Sequence, residues 1–185
     1  SVDKTKINTT NKYDGYYFAN TEPENIPDTV TDGTIIKVNY EIKDDLSYTI
    51  KYVDPDTNKD IKPEEIKNGL TYGDKVTENA PDIDGYTKVN PEESITIGTD
   101  ENVIIFYYTK RTDLTYKVEY YFEGVRDDSL TEIIKNQTFE NQITSYTDKV
   151  KTGYKLDKVE TIPLTITTGE NVIKVFYVID DTQTK

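Results

Sequence analysis

The sequence predicts a mainly β, or α+β, protein: a tandem array of small units of about 68 residues forming an elongated rod. Three observations lead there. Apolar residues fall in short alternating runs, a set of landmarks recurs at one spacing, and the joins between successive units are only a few residues long. Residues 46–53 read LSYTIKYV and residues 114–121 read LTYKVEYY; residues 101–108 read ENVIIFYY and residues 170–177 read ENVIKVFY. Between these blocks stand Gly85-Tyr86 and Gly153-Tyr154, and an earlier Gly15-Tyr16 is followed by GTIIKVNY at 33–40. Tyr16, Tyr86 and Tyr154 are 70 and 68 positions apart; Tyr40, Tyr108 and Tyr177 are 68 and 69 apart. The chain thus reads as the C-terminal half of a preceding repeat (1–44), two full repeats (45–112 and 113–180) and a tail or linker (181–185), a piece of a longer array. Short junctions at Asp44-Asp45 and Arg111-Thr112-Asp113 leave little room for swing.

Each element of the unit follows from local pattern. Tyr48, Ile50 and Tyr52 alternate with Thr49 and Lys51, and Tyr116, Val118, Tyr120 and Phe122 alternate with Lys117 and Glu119. Period two with one polar face is a half-buried strand. A turn follows, DPDTNKD at 54–60 and EGVRDDS at 123–129. The next stretch differs between copies. IKPEEIKNG (61–69), with Pro63 and a closing Gly69, reads as irregular or one short helical turn. LTEIIKNQTF (130–139) reads as a strand, although Ser129 and Glu132 have capping-box spacing. The Gly-Tyr pair predicts a positive φ at the glycine and a tyrosine plug in the core. The last two strands are expected to form a hairpin: Ile95-Ile97 and Leu164-Ile166 lead through TDEN and TGEN into Ile104, Phe106, Tyr108 and Ile173, Val175, Tyr177. In 1–44 the closing strand is matched by Ile36, Val38, Tyr40 and Ile42.

Composition narrows function. The chain has 22 basic and 35 acidic side chains, a net charge of −13, and no Cys, Met, Trp or His. Such a balance with 34% hydrophobic residues resembles disorder, but the apolar residues are concentrated in strand-like runs, which favours small folded units. Without Cys or His the zinc-finger, haem, iron–sulfur, disulfide and thiol classes are excluded, as is a Ser–His–Asp engine. Strong acidity repels phosphate backbones, so no nucleic-acid partner is expected. No apolar run approaches the roughly 18–20 residues of a membrane span, so no insertion of this segment is expected. The expectation is a non-enzyme without cofactors, monomeric within a longer chain.

Several phrases together resemble the mucin-binding-protein (MucBP) repeats of Gram-positive surface proteins. They are YTIKYVDPDTNKDI, TYGDKVTENAPDIDGYTKV and ENVIIFYYTKR in the first full repeat, and YKVEYYFEGVRDD, TSYTDKVKTGYKLDKVE and ENVIKVFYV in the second, which looks like a clostridial-type variant. The resemblance covers nearly all of 46–180. It implies a ubiquitin-like β-grasp unit, an extracellular, secreted or cell-wall-anchored location, and adhesin arrays of which some bind host mucin glycans. Two functions follow: an adhesin segment contacting host glycan or extracellular protein, or a passive stalk projecting another domain.

Residue chemistry singles out a few candidate sites. Asp54, Asp56, Asn58 and Asp60 have the alternating oxygen spacing of a calcium loop, with Glu65 twelfth, but Lys59 occupies the position that calls for glycine; a solvated Asx turn is the plainer reading. Lys51, Asn102 and Glu78 could be nominated for an intramolecular isopeptide bond, although Lys51 falls on the polar face of its strand. The abundant carboxylates give no evident acid–base pair in a cleft. Tyr107 and Tyr121 lie opposite the main apolar face of their strands and are the candidates for ligand contact or packing between repeats.

Overall fold

A computed structural model describes residues 1–7 and 12–182, so most of the tail expected at 181–185 lies outside the described residues. The chain divides into two compact units, residues 1–80 with 88–108, and residues 81–87 with 109 onward. Among the described residues the regular structure is strand, apart from two three-residue 3-10 turns at Lys4–Lys6 and Asp128–Leu130. The fold is mainly β.

The first unit opens with an antiparallel hairpin, β1 (Tyr16–Glu22) against β2 (Lys37–Ile42). Its larger sheet contains β3 (Leu46–Asp54), β4 (Lys59–Leu70) and β8 (Val103–Lys110) in the order β4-β3-β8, and the sheet ends at β6 (Tyr86–Lys88), within which the division between the units falls. A two-stranded sheet pairs β5 (Lys75–Asn79) with β7 (Glu92–Thr96). β3 and β8 run parallel, with Ile50 opposite Ile104 and Tyr52 opposite Phe106. That register places Tyr48, Ile50, Tyr52, Ile104, Phe106 and Tyr108 on one face, all 5% exposed or less, as alternation predicts.

The second unit repeats the plan. Its strands are β9 (Leu114–Phe122), β10 (Val125–Arg126), β11 (Glu132–Gln137), β12 (Gln142–Ile143), β13 (Tyr154–Glu160), β14 (Leu164–Thr165) and β15 (Val172–Ile179). β9 and β15 run parallel at the centre, β10, β11 and β13 flank them antiparallel, and β12 pairs with β14. The core contains Leu114, Val118, Tyr120, Phe122, Leu164, Ile166, Ile173, Val175 and Tyr177. Only three residues separate β2 from β3, and three separate β8 from β9.

Three local expectations are corrected. Residues 61–69 are not irregular or helical; they lie inside the twelve-residue β4. β4 is an edge strand, where a proline can present its missing N–H to solvent, and the register with β3 slips between the Ile50↔Glu65 and Tyr52↔Lys62 pairs, at Pro63. Pairing to β3 outweighs the weak helical signals. The strand expected within 130–139 is present as β11, and the Ser129–Glu132 spacing is no capping box: Asp127 caps the Asp128–Leu130 turn by accepting the Ser129 N–H, while Glu132 accepts from Lys149. The last two strands do not form a hairpin, since β7 pairs with β5 and β14 with β12 while β8 and β15 lie parallel to the opening strands. The Gly-Tyr glycines do have positive φ (Gly15 82°, Gly85 82°, Gly153 89°). Their tyrosines are less deep than expected, for Tyr16 is 37% exposed and Tyr86 and Tyr154 are half-buried, although Tyr154 packs against the core, edge-on to Phe122.

Candidate functional site

A tyrosine-rich core must satisfy its hydroxyls. In the first unit Tyr48 donates to Glu78 Oε1 (2.5 Å), which also accepts from Lys67 Nζ (2.6 Å). Burial pushes the Glu78 carboxyl up, but the Lys67 and Tyr48 donors outweigh it and hold the group below the usual glutamate range. Tyr52 carries Lys62 over its ring at 4.8 Å, and burial with the charge of Glu65 pushes its hydroxyl up to about 12. In the second unit Tyr120 donates to the Thr147 carbonyl (2.5 Å), and Lys149 lies over its ring while donating to Glu132 (2.7 Å). Tyr177 donates to Asp148 and accepts the Lys149 N–H (2.9 Å); burial and Asp148 push it up to about 12. These polar groups support the core, and Asp148 and Lys149 also line a shallow depression together with Phe122, Asp127 and Leu130.

The outer faces of the sheets carry the candidate ligand residues. On β9, Lys117, Glu119 and Tyr121 point away from the core, opposite Val172, Lys174 and Phe176 of β15. The Tyr121 and Phe176 rings are stacked, with centroids 4.8 Å apart and planes at 22°. Lys174 lies over Tyr121 at 5.9 Å and Lys158 over Phe176 at 5.0 Å. Glu119, only 8% exposed although on the polar face, accepts from Arg126 (2.8 Å) and from the Tyr121 hydroxyl (3.2 Å). A shallow depression beside it is lined by Lys117, Glu119, Arg126, Asp128, Thr131 and Ile133. Tyr121 thus belongs to an aromatic–cation ladder whose ring faces are largely taken by protein groups. On the first unit's outer face Tyr107 is opposite Val53, and its backbone N–H donates to Asn90 Oδ1 (2.7 Å). Tyr107 and Tyr121 belong to different units, each on its own sheet.

The other nominated residues are placed as follows. Asp54, Asp56, Asn58 and Asp60 form the β3–β4 turn: Asp54 Oδ1 accepts the Asp56 N–H (2.8 Å), and Asn58 has φ 57°. This is an Asx turn. No group of three or more carboxylates suited to a metal is gathered among the described residues. Lys51 pairs loosely with Glu64 (3.7 Å) on the outer face, while Glu78 is engaged with Tyr48 and Lys67. Asn102 lies elsewhere still: its amide accepts the Gly98 N–H (2.9 Å) and donates to the Ser47 (3.0 Å) and Gly98 (2.9 Å) carbonyls. The three are not brought together.

Asn102 is the residue whose role sequence reasoning missed. Asn171 repeats it, accepting the Thr167 N–H (2.9 Å) and donating to the Thr115 (3.0 Å) and Thr167 (2.8 Å) carbonyls. Each asparagine ties the exit of the small sheet to the start of the opening strand, and its own carbonyl accepts the first parallel-ladder N–H, from Thr49 or Lys117 (2.9 Å each). That staple aims the closing strand alongside the opening one. The repeated Glu-Asn pair before each closing strand was the available signal.

No protein-family model matches the chain. No curated protein matches it. Among solved structures, the Streptococcal High Identity Repeats in Tandem (SHIRT) domains 3-4 from a cell surface protein are similar, at 14% identity. That match covers 74% of this chain and 99% of the other, with a TM-score of 0.28, a superposition too loose to equate the two folds.

Proposed function

We propose that the chain is a repeat segment of a secreted, cell-wall-associated surface protein of the Gram-positive type, in which it serves as a structural spacer carrying another region away from the anchor. The observation that carries this reading is the recurrence of one sheet plan, with parallel opening and closing strands, joined to the preceding strands by three residues each time. Short joins between repeated units limit the slack in the chain, which suits a spacer built by repetition. The repeat boundaries 45–112 and 113–180 and the β-grasp topology belong to this proposal; the parallel central pair supports the latter. The resemblance to mucin-binding repeats supports the surface location, although no family model matches the chain.

Small-angle scattering of the intact chain tests the spacer. A compact particle of 185 residues has a radius of gyration of roughly 16 Å. The spacer requires a clearly larger value, and a result at 16 Å overturns it. A second reading, an adhesin segment contacting host glycan or extracellular protein, is favoured by one observation: Tyr121, Phe176, Lys158 and Lys174 stand together on an outer sheet face. Binding to mucin glycans that disappears in Tyr121→Ala or Tyr107→Ala would select it. Absence of binding by a multi-repeat chain would leave the spacer.

A further inference from the structure

Within each compact unit an aromatic residue lies flat against a glycine some fifty residues earlier. In the first unit the Tyr72 ring covers Gly15; in the second the Phe139 ring covers Gly85. Both glycines are buried with φ 82°, and a Cβ at either position would overlap the ring. Two backbone bonds fix each arrangement: Lys43 N–H to Gly15 O and Tyr72 N–H to Lys43 O (2.8 Å each), matched by Arg111 N–H to Gly85 O and Phe139 N–H to Arg111 O (2.9 Å each). A side-chain latch closes it. Thr99 Oγ1 donates to Asp14 Oδ1 (2.5 Å), and Thr168 Oγ1 donates to Asp84 Oδ1 (2.7 Å). The tyrosine after the glycine completes it, Tyr16 near Tyr72 (centroids 6.2 Å) and Tyr86 edge-on to Phe139 (5.6 Å). Positions 14, 15, 43, 72 and 99 recur as 84, 85, 111, 139 and 168, offset by 67 to 70 residues.

We propose that the Asp-Gly-Tyr turn is an interaction surface whose partner is the aromatic residue of the repeat that follows. The cooperatively folding unit is therefore displaced from the sequence repeat and takes in its predecessor's turn. The compaction of the chain agrees with these contacts: residues 81–87 group with 109 onward, although 1–80 and 88–108 on either side of them form the first unit. The chemistry is specific. Glycine lets a ring approach the backbone with no Cβ between them, and φ above zero is unstrained only there. The aspartate at the lip accepts hydroxyls, from Thr99 and also from the Tyr72 OH (3.3 Å) in the first unit. At the second site Phe139 lacks the hydroxyl that Tyr72 supplies.

The inference rests on the tandem reading, but a compact scattering result would defeat the spacer without touching this clamp. Its test is residue-resolved hydrogen exchange on the intact chain under rising denaturant. The amides of 84–87 are expected to lose protection together with those of β9, not with those of β3. Phe139→Ala should speed exchange at Tyr86 and Arg111 at least tenfold while leaving β3 unchanged. Should that variant unfold the unit, Thr168→Val removes only the latch and should give several-fold faster exchange at 85–86 with the circular dichroism unaltered. Phe139→Tyr should slow exchange there, because the new hydroxyl meets Asp84 as Tyr72 meets Asp14. Exchange of 84–87 that follows β3, or that is indifferent to Phe139→Ala and Thr168→Val, overturns the proposal.

Discussion

The sheets built on β3/β8 and on β9/β15 have the same core register but cover it differently. At the position of Tyr52 and Tyr120 each core tyrosine has a lysine over its ring and a glutamate nearby. In the first sheet both come from β4, as Lys62 and Glu65. In the second, β11 supplies Glu132 and the irregular stretch after β12 supplies Lys149. The stretches between opening and closing strands have diverged, one into a long edge strand and the other into β10, a 3-10 turn and a shorter strand. The demand on them has not changed. A buried phenol needs a partner wherever the backbone can bring one, so polar satisfaction persists while the supplying element drifts.

The largest break in this symmetry should come from the core. Phe106 and Val175 occupy the same place on their closing strands and are both fully buried. Phe106→Ala is expected to cost about 3–5 kcal/mol. Val175→Ala, which removes two methyl groups, should cost roughly 1.5 kcal/mol plus a cavity contribution. Urea unfolding read by strand-resolved hydrogen exchange checks both, and equal losses would show that the two cores do not pack alike.

Alkaline pH tests whether the two hydroxyl arrangements are equivalent. Tyr52 and Tyr177 titrate near 12 when folded and near 10 when unfolded, so the unfolded chain loses these protons first. Their stabilisation is complete below pH 10 and is lost as pH rises through 12, by at most roughly 2–3 kcal/mol each. Tyr52→Phe should lessen the alkaline loss of the first unit alone and Tyr177→Phe that of the second, with burial of Tyr48 and Tyr120 leaving part of it in each. On the acid side, Glu78 sits below its usual range, so its contribution is present above its unfolded pKa and disappears as pH falls through the folded one. Thermal melts at pH 7 and pH 3 with Glu78→Gln check that sign.

Removing a staple sharpens the comparison further. Asn171 is 4% exposed and Asn102 is half-buried, so Asn171→Ala should cost more, about 1–3 kcal/mol for the buried groups left unpaired, and Asn102→Ala less. The smallest effect belongs to the outer faces. Tyr121→Ala dissolves the stack with Phe176 and should cost about 0.5–1.5 kcal/mol. Tyr107, for which no ring partner is described, should cost less when truncated; the reverse order would mean that the Lys158–Phe176–Tyr121–Lys174 ladder is not stabilising.

The amino-acid sequence by itself determined the mainly β character, the recurring landmarks and the buried faces of β3, β8, β9 and β15, because a strand's period of two writes its burial into every second residue. It also determined the left-handed backbone at the Gly-Tyr glycines. What only the tertiary structure decided is which strands pair and what each landmark is for. Residues 61–69 become an edge strand because β3 offers unpaired backbone groups, a fact that no local window contains. Asn102 and Asn171 reach carbonyls of Ser47 and Thr115 more than fifty positions away, and Gly85 is reserved for a ring that arrives with Phe139. Propensity and alternation are properties of neighbours along the chain, whereas pairing, stapling and close approach depend on residues that only folding brings together.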